Sequence, residues 1–356
     1  MINPDNRPRP KPFDLLASLA AFAHARGIAL TDPELIPTFT ADAGEQLAAA
    51  LDDEALLHGT RTERLFEATV LSLGRFRLFK TEDSGRVHSA ETMRVPDFRV
   101  VLEDGDQWLI EVKNVRCSDP FRQRTGMSAA YLHSLRSYAD AMGVPLRLAF
   151  YWSVWNIWTV IAPEPFMRKD GSLRVRMQDA VAVSEFGRLG EVTIMTIPPL
   201  RIVLRAAPDR PRGLEGYTAS FIVGSVEIFA DGKRLVDARD RKLAEVLIFY
   251  GEWTLAGPFA LMEEGEIAGV EYVAEPEEPA GEGWQGIGWA SRIFSRYFAT
   301  QTVEGERLIQ LHGRPAPDWF APLDRWDFAG SNLRLLLGHI EPNFEIIRNG
   351  TARGEG

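Results

Sequence analysis

The chain has 356 residues, of which 45% are hydrophobic and 25% charged, the proportions of an ordinary soluble globular protein with room for two or three domains. One cysteine, Cys117, and six histidines exclude a disulfide framework within the chain and provide no zinc-ligand spacing. The formal net charge of -10 argues against a protein that coats nucleic acid nonspecifically. No apolar run is long enough for a membrane span, and the polar, proline-rich N-terminus lacks a signal-peptide core, so we expect a cytoplasmic protein without membrane segments.

Most of the first 73 residues are predicted to form helices. Residues 1–58 are expected to form a helical N-terminal extension, because apolar residues recur at helical spacing over 13–27 and again over 41–57. A further helix is predicted over residues 60–73, where Glu63 and Glu67 lie four positions apart and therefore on one face.

Residues 94–114, RVPDFRVVLEDGDQWLIEVKN, carry the most chemical information in the chain. Two runs rich in branched and aromatic residues flank an Asp-Gly pair, which is a strong hairpin signal. Because side chains alternate along a strand, Glu111 and Lys113 share one face. Folding the hairpin brings Asp97 beside them, so two carboxylates and an amine are predicted to converge at one end of a small sheet.

This trio has a clear chemical use. Two carboxylates on rigid strands bind a hard cation such as Mg2+, which polarises a phosphoryl oxygen and activates a bound water. A neighbouring lysine positions or helps to deprotonate the attacking water and stabilises the developing negative charge. The alternative is an E-x-K pattern on an ordinary solvated strand face, and either half of the pattern by itself is common.

Pro96-Asp97 followed by Glu111-Val112-Lys113, with thirteen residues between the two acids, resembles the PD-(D/E)XK nuclease superfamily. The opening Gly59-x-x-x-Glu63-Arg64 is similar to those of archaeal Holliday junction resolvases and Mrr-type restriction enzymes. Transposon-end-cleaving endonucleases also share such a core. The resemblance implies an α/β fold whose restriction-endonuclease-like core runs helix, three strands, helix, strand over residues 59–162.

The resemblance also implies roles for single residues. Asp97 and Glu111 would bind Mg2+, for which Mn2+ substitutes, with the Val112 carbonyl as a third ligand, and Lys113 would orient the water. Glu63, or alternatively Glu67, would complete the site from the first helix. Two auxiliary candidates are Tyr131, on the helix predicted over residues 126–143, and His88, in the polar loop over residues 82–93.

The segment after the motif is locally basic. Residues 112–150 hold six basic side chains against two acidic ones. Four of these arginines are candidates for contacting a DNA backbone: Arg116, Arg122, Arg124 and Arg136. An arginine-rich solvated helix face is the competing interpretation. The next stretch, residues 151–161, has three tryptophans. They either stack on unpaired bases or lie on two further core strands, which turn at Asn156, and fill the interface to the next domain; we favour the second interpretation.

Residues 163–356 are predicted to form a second α+β domain, acidic overall, for recognition of a target or protein partner. No glycine-rich phosphate loop occurs in it. The leading hypothesis is a metal-dependent DNA endonuclease of restriction, phage defence or mobile-element processing, with a homodimer as one assembly. The alternatives are a catalytically silent nucleic-acid-binding module, or a nuclease switched on by a ligand or partner that the C-terminal domain senses.

Overall fold

A computed structural model of the chain describes residues 12–82, 89, 91–216, 218–278, 280–281, 283–320, 323 and 331–345. The chain divides into two compact units, Met1–Thr60 and Arg61–Gly356. The helices are α1 (Pro12–Arg26), α2 (Leu35–Asp52), α3 (Glu54–Leu73), α4 (Ala129–Met142), α5 (Met177–Ala182), α6 (Ala238–Tyr250), α7 (Ala290–Thr302) and α8 (Pro317–Phe320).

The strands occur only in the second unit of the described chain. They are β1 (Leu78–Thr81), β2 (Phe98–Val101), β3 (Gln107–Val115), β4 (Arg124–Met127), β5 (Leu146–Trp152), β6 (Ile157–Ile161), β7 (Leu173–Arg176), β8 (Thr193–Thr196), β9 (Leu200–Ala206), β10 (Arg212–Glu215), β11 (Thr218–Phe221), β12 (Val223–Ala230), β13 (Lys233–Arg234), β14 (Thr254–Glu263), β15 (Glu266–Glu275), β16 (Gln285–Trp289), β17 (Val303–Glu304), β18 (Arg307–Leu308) and β19 (Leu335–Gly338).

The first unit is helical, as its apolar spacing predicts. Phe22 of α1 and Phe39 of α2 meet edge to face with ring centroids 5.4 Å apart. α2 begins at Leu35, earlier than predicted, and includes Pro37 in its first turn. A proline is tolerated there because the first backbone N–H groups of a helix have no partner within the helix.

The second unit contains a five-stranded sheet in the order β1-β2-β3-β5-β6. β3 and β5 are parallel, and the other neighbouring pairs are antiparallel. Ile110 and Val112 of β3 belong to the apolar cluster that contains Phe66 of α3, whereas Leu109 belongs to the cluster that contains Leu132 of α4. The two helices therefore cover opposite faces of the sheet, as expected for a strand buried on both sides.

The predicted hairpin is confirmed. Phe98 pairs with Ile110 and Val101 with Gln107 in antiparallel register. The turn between them places Gly105 at φ 96°, a conformation that favours glycine. The Asp-Gly signal in the sequence therefore marks the turn correctly.

The helix predicted over residues 126–143 begins later than expected. Gly126 and Met127 belong to β4, which pairs with β7, and α4 starts after Ser128, whose side chain accepts a hydrogen bond from the Tyr131 N–H. The strand partner is distant in sequence, so the local helical pattern gives no sign of it. This pairing also crosses the predicted boundary between residues 162 and 163.

The aromatic run over residues 151–161 forms β5, a turn and β6. The two strands are part of the central sheet, as the favoured interpretation predicts, and Trp152 and Trp158 are fully buried on them. Asn156 takes a left-handed conformation, φ 52°, at the turn between the strands. The third tryptophan, Trp155, donates its indole N–H to the carbonyl of Pro120 at 2.9 Å.

The remainder of the second unit mixes helices with further sheets. One has five strands in the order β13-β12-β9-β15-β14, and another has three in the order β16-β8-β19. This part of the unit includes the helices α6 and α7 and a long antiparallel hairpin of β14 and β15. None of the described helices is both long and apolar enough to cross a membrane.

Replacing Asp237 with alanine is expected to destabilise α6. Its carboxylate accepts hydrogen bonds from the backbone N–H groups of Arg239 at 2.9 Å and Asp240 at 3.2 Å, so Asp237 caps the N-terminus of the helix. Loss of such a cap costs about 1 kcal/mol, which for a protein of this size lowers Tm by roughly 1–2 °C. Thermal unfolding of Asp237→Ala beside Asp209→Ala, an exposed aspartate outside the helix, checks this, and equal Tm values would contradict it.

Candidate active site

The hairpin places Asp97 directly across from Glu111. β2 begins at Phe98, which pairs with Ile110 in antiparallel register. Asp97, just before Phe98, therefore lies across from Glu111, just after Ile110, and both side chains project from the same face of the sheet. The Oδ2 atom of Asp97 accepts a hydrogen bond from the backbone N–H of Val112 at 2.7 Å. The structure therefore brings together the two carboxylates that the sequence singles out.

Glu111 and Lys113 form an ion pair on the same face of β3. The Glu111 side chain is only 3% exposed, and the Lys113 Nζ lies 2.5 Å from its Oε1. A buried carboxylate is costly unless a charged partner satisfies it. The lysine two residues further along the strand provides that partner.

Tyr131 joins the site from the first turn of α4. Its hydroxyl donates a hydrogen bond to Oε1 of Glu111, and the Lys113 Nζ lies 5.0 Å from the centroid of its ring. The Arg94 guanidinium lies over the same ring, 4.7 Å from the centroid. The structure therefore places this auxiliary candidate in contact with the motif glutamate and beside the motif lysine.

The environment disfavours a charged Asp97. Burial raises the pKa of its carboxyl to about 7, and the neighbouring Glu111 carboxylate adds to the rise. The Val112 N–H lowers this pKa, Glu63 raises it further, and Lys113 lowers it slightly. Without a bound cation, both the protonated and the charged form of Asp97 are therefore populated near neutral pH.

Lys113 and Tyr131 both retain their protons at neutral pH. Burial lowers the pKa of Lys113, but the charge and hydrogen bond of Glu111 raise it, and the net direction is upward. Burial raises the pKa of Tyr131, and the Glu111 carboxylate adds to that rise. The lysine is therefore a charged hydrogen-bond donor in this arrangement, and the tyrosine is a neutral one.

The two helix glutamates have different surroundings. Burial raises the pKa of Glu63. The positive charges of Arg64 and Lys113 oppose this rise, and the Glu111 carboxylate adds to it. Because Lys113 and Glu111 are among these causes, Glu63 interacts electrostatically with the site. Glu67 instead pairs with Arg64, whose NH1 lies 2.7 Å from its Oε2. The geometry favours Glu63 as the contributor from α3.

On the hypothesis that this site holds Mg2+ and cleaves phosphodiester bonds, replacing Glu63 with glutamine is expected to slow cleavage about 10- to 100-fold, the usual effect of a group that supports metal ligands. Glu67→Gln is the matched control and is expected to stay within about threefold of the wild type, because Glu67 pairs with Arg64 and not with a residue of the hairpin. Single-turnover rates over a range of Mg2+ concentrations measure both effects. The choice of Glu63 would be wrong if the Glu67 variant were the slower of the two.

Asp97, Glu111 and the Val112 carbonyl suit a hard divalent cation. The backbone N–H and C=O groups of successive residues on a strand point alternately to its two neighbours. The N–H of Leu109 donates to the Pro145 carbonyl on the β5 side of β3, so the backbone groups of Val112, three residues on, point to the opposite side, where Asp97 lies. Both described hydrogen bonds of Glu111 use Oε1. A cation would relieve the repulsion between the carboxylates, and Mg2+ needs only one or two of them because it retains waters.

No group of three or more Asp, Glu, His or Cys side chains is placed to hold a metal ion among the residues that the structure describes. The candidate set is therefore two carboxylates and one backbone carbonyl, all oxygen donors. Oxygen donors favour Mg2+ and Mn2+ over softer metals.

The other candidates occupy different places. Arg116, Arg122 and Arg124 are exposed on the segment between β3 and α4. Arg136 is half-buried on α4 and directs its NH1 to the Met167 sulfur at 3.4 Å, so it does not join the exposed arginines. His88 lies outside the described residues.

Arg94 is the site residue that sequence reasoning does not identify. Its backbone N–H donates to the Ser134 carbonyl of α4 at 3.0 Å, which holds the chain before Pro96 against the helix. The only signal in the sequence is its position near the motif, which arginines often share without a role.

No family model matches this chain, and no curated protein matches it. Among solved structures, the Holliday junction resolvase Hjc of Archaeoglobus fulgidus has a TM-score of 0.28 and 17% sequence identity to this chain. The alignment covers 37% of this chain and 96% of that one. A likeness at this level does not support a function.

Proposed function

We propose that this chain is a metal-dependent endonuclease that hydrolyses phosphodiester bonds in DNA. The observation that supports this function is the convergence of Asp97, Glu111 and Lys113 on one face of the β2–β3 hairpin. Phosphodiester hydrolysis needs a bound cation and a group that stabilises the negative charge developing on the phosphoryl oxygens. The two acids would hold the cation, and the amine would stabilise the charge.

Asp97, Glu111 and the Val112 carbonyl would hold Mg2+ or Mn2+. The bound ion would polarise the scissile phosphate and lower the pKa of a coordinated water. Tyr131 holds Glu111 in place through its hydroxyl, so the carboxylate is oriented before the ion arrives. Glu63 adds negative charge from α3 and would strengthen cation binding.

Lys113 supplies a positive charge beside the acids. Because the lysine keeps its proton, it donates hydrogen bonds and does not accept a proton in the resting site. It would orient the attacking water or a phosphoryl oxygen, and would stabilise the charge that builds up on the phosphorus oxygens. Removing a donor of this kind typically costs about 100- to 1,000-fold in rate.

Cleavage of a nucleic-acid panel tests this function. Linear, supercoiled, single-stranded and branched DNA, with one RNA, would each be incubated with Mg2+, Mn2+ or EDTA, and Asp97→Asn would serve as the control for contaminating nucleases. Metal-dependent DNA cleavage that the variant lacks is the expected result. Cleavage that persists in the variant would place the activity elsewhere.

The alternatives predict other outcomes. DNA binding without cleavage and without metal dependence would favour a silent binding module. Activity that appears only with an added ligand or protein would favour a switch in residues 163–356, and size-exclusion chromatography of that active species would test the proposed homodimer.

A further inference from the structure

β4 and β7 form a two-stranded ribbon with arginines across from one another. Arg124 pairs with Arg176, and Gly126 pairs with Arg174. The three arginines alternate with less exposed residues and are themselves exposed. Like charges directly opposite on a ribbon repel each other, so this arrangement is unfavourable unless an anion lies over it.

The arginines are only partly neutralised. Arg176 bonds to Asp179 at 2.7 Å, whereas neither Arg124 nor Arg174 has an ion-pair partner in the part of the chain that the structure describes. Residues 116–127 and 173–179 together hold five arginines and two aspartates, a net charge of 5 − 2 = +3 in a chain of net charge -10. This surface is therefore a positive region on an acidic protein.

The loop before β4 is well ordered by hydrogen bonds and presents an aromatic ring. The Gln123 amide donates to the carbonyls of Cys117 at 2.7 Å and Asp119 at 2.6 Å, and the Trp155 indole holds Pro120. On this loop Phe121 is 86% exposed. An exposed phenyl ring normally gains by folding inward, but the loop's hydrogen bonds hold it outward.

A groove of about 240 Å³ lies beside the ring. Its lining residues are Pro120, Phe121, Arg122, Gln123, Arg124, Arg176, Met177 and Gln178. The Gln123 side chain is 5% exposed, and because its NH2 group serves two carbonyls, its Oε1 is an acceptor without a donor among the described residues. A buried acceptor of this kind is satisfied when a ligand or water supplies an N–H or O–H group.

The surface adjoins the candidate active site at both ends. β3, which carries Glu111 and Lys113, ends one residue before Arg116, and β4 ends one residue before the Ser128 cap of α4. From Arg124 to that cap the chain spans at most about 13 Å. The helix that this cap begins carries Tyr131, whose hydroxyl contacts Glu111, so the surface and the candidate active site are joined by one short stretch of chain.

We propose that the loop and the β4–β7 ribbon form a binding surface for DNA with unpaired bases. Arg124, Arg174 and Arg176 hold the phosphate backbone, and Phe121 stacks on an unpaired base while the groove accepts that base's edge. This inference rests on the proposed function in its choice of DNA as the ligand. It narrows the substrate class to single-stranded or branched DNA.

Fluorescence anisotropy of labelled DNA in EDTA, where binding is measured without cleavage, tests the surface. Phe121→Ala is expected to weaken binding of a single strand and of a three-way junction by roughly 5- to 150-fold, the effect of one lost base stack, and to leave duplex binding unchanged. Phe121→Trp restores stacking. Phe249→Ala is the matched control, because that phenylalanine is also exposed.

The arginines are tested by salt dependence. The triple variant Arg124→Ala, Arg174→Ala, Arg176→Ala is expected to lower the slope of log K against log salt by about 2–3 on duplex DNA, since each lost phosphate contact removes about 0.9. Arg307→Ala, an exposed arginine on β18, is the control. Thermal unfolding checks that every variant is folded.

The outcomes separate this surface from the active site. If Phe121→Ala and the triple variant bound DNA as tightly as the wild type, the proposed surface would be wrong, even in a protein that cleaves DNA. It would also be wrong if the wild type bound none of the three DNAs. If the variants lost DNA binding but the wild type did not cleave DNA, the binding surface would be supported and the proposed endonuclease function would be wrong.

Discussion

Lys113→Met is expected to slow DNA cleavage about 100- to 1,000-fold and to leave metal binding in place. The lysine donates to Glu111 and carries the positive charge nearest the acids, but it supplies no ligand atom to a cation. Losing a preorganised charged donor costs about 100- to 1,000-fold in cleavage rate. We expect single-turnover cleavage to fall by that factor, while the rise in Tm on adding Mg2+ persists.

Asp97→Asn is the companion variant for this experiment. It removes one of the two carboxylates that would hold the ion, so cleavage and the Mg2+-dependent rise in Tm should both be reduced, whereas Lys113→Met reduces only cleavage. Lys113→Arg keeps the charge and tests whether the compact ammonium geometry matters. If Lys113→Met cleaved DNA at the wild-type rate, the lysine would have no part in the chemistry.

Asp97→Asn is also expected to stabilise the metal-free protein at alkaline pH. The pKa of Asp97 is raised to about 7 in the folded chain, chiefly by burial and then by Glu111, from an ordinary value of 3.8. The folded state therefore binds more protons than the unfolded state between these values, so stability falls as the pH rises from about 4 to about 7. The cost of the ionised carboxylate is fully present above pH 7.

The gain in Tm of the asparagine variant over the wild type should therefore be small near pH 4 and largest above pH 7, on the order of a few degrees. Scans of both proteins in EDTA across this range measure the difference. Asp209→Asn, at an exposed site away from the hairpin, serves as the control. A gain that did not change with pH would show that Asp97 is not held in a disfavoured charged state.

The hairpin illustrates what could be predicted from local sequence. An Asp-Gly turn between two β-rich runs defines the antiparallel register, and the two-residue period of a strand then puts Glu111 and Lys113 on one face, across from Asp97. The Asp237 cap of α6 is local in the same sense. The chemical roles of these site residues remain proposals.

The start of α4 shows where local sequence fails. Residues 126–127 continue a helical pattern, yet they pair as a strand with β7, which follows two further strands of the central sheet. Such a pairing forms between segments distant in sequence, and its free energy outweighs a weak local preference.

The sequence by itself determined the hairpin, the face that its two acids and lysine share, and the presence of the helices around it, because each depends on turn chemistry or on a short side-chain period. Only the tertiary structure decided that Tyr131 reaches Glu111, that Glu63 interacts electrostatically with Glu111 and Lys113, and that Arg174 and Arg176 lie beside Arg124. These relations depend on how packing rotates each helix and on which distant strands pair, and no local period in the chain encodes either.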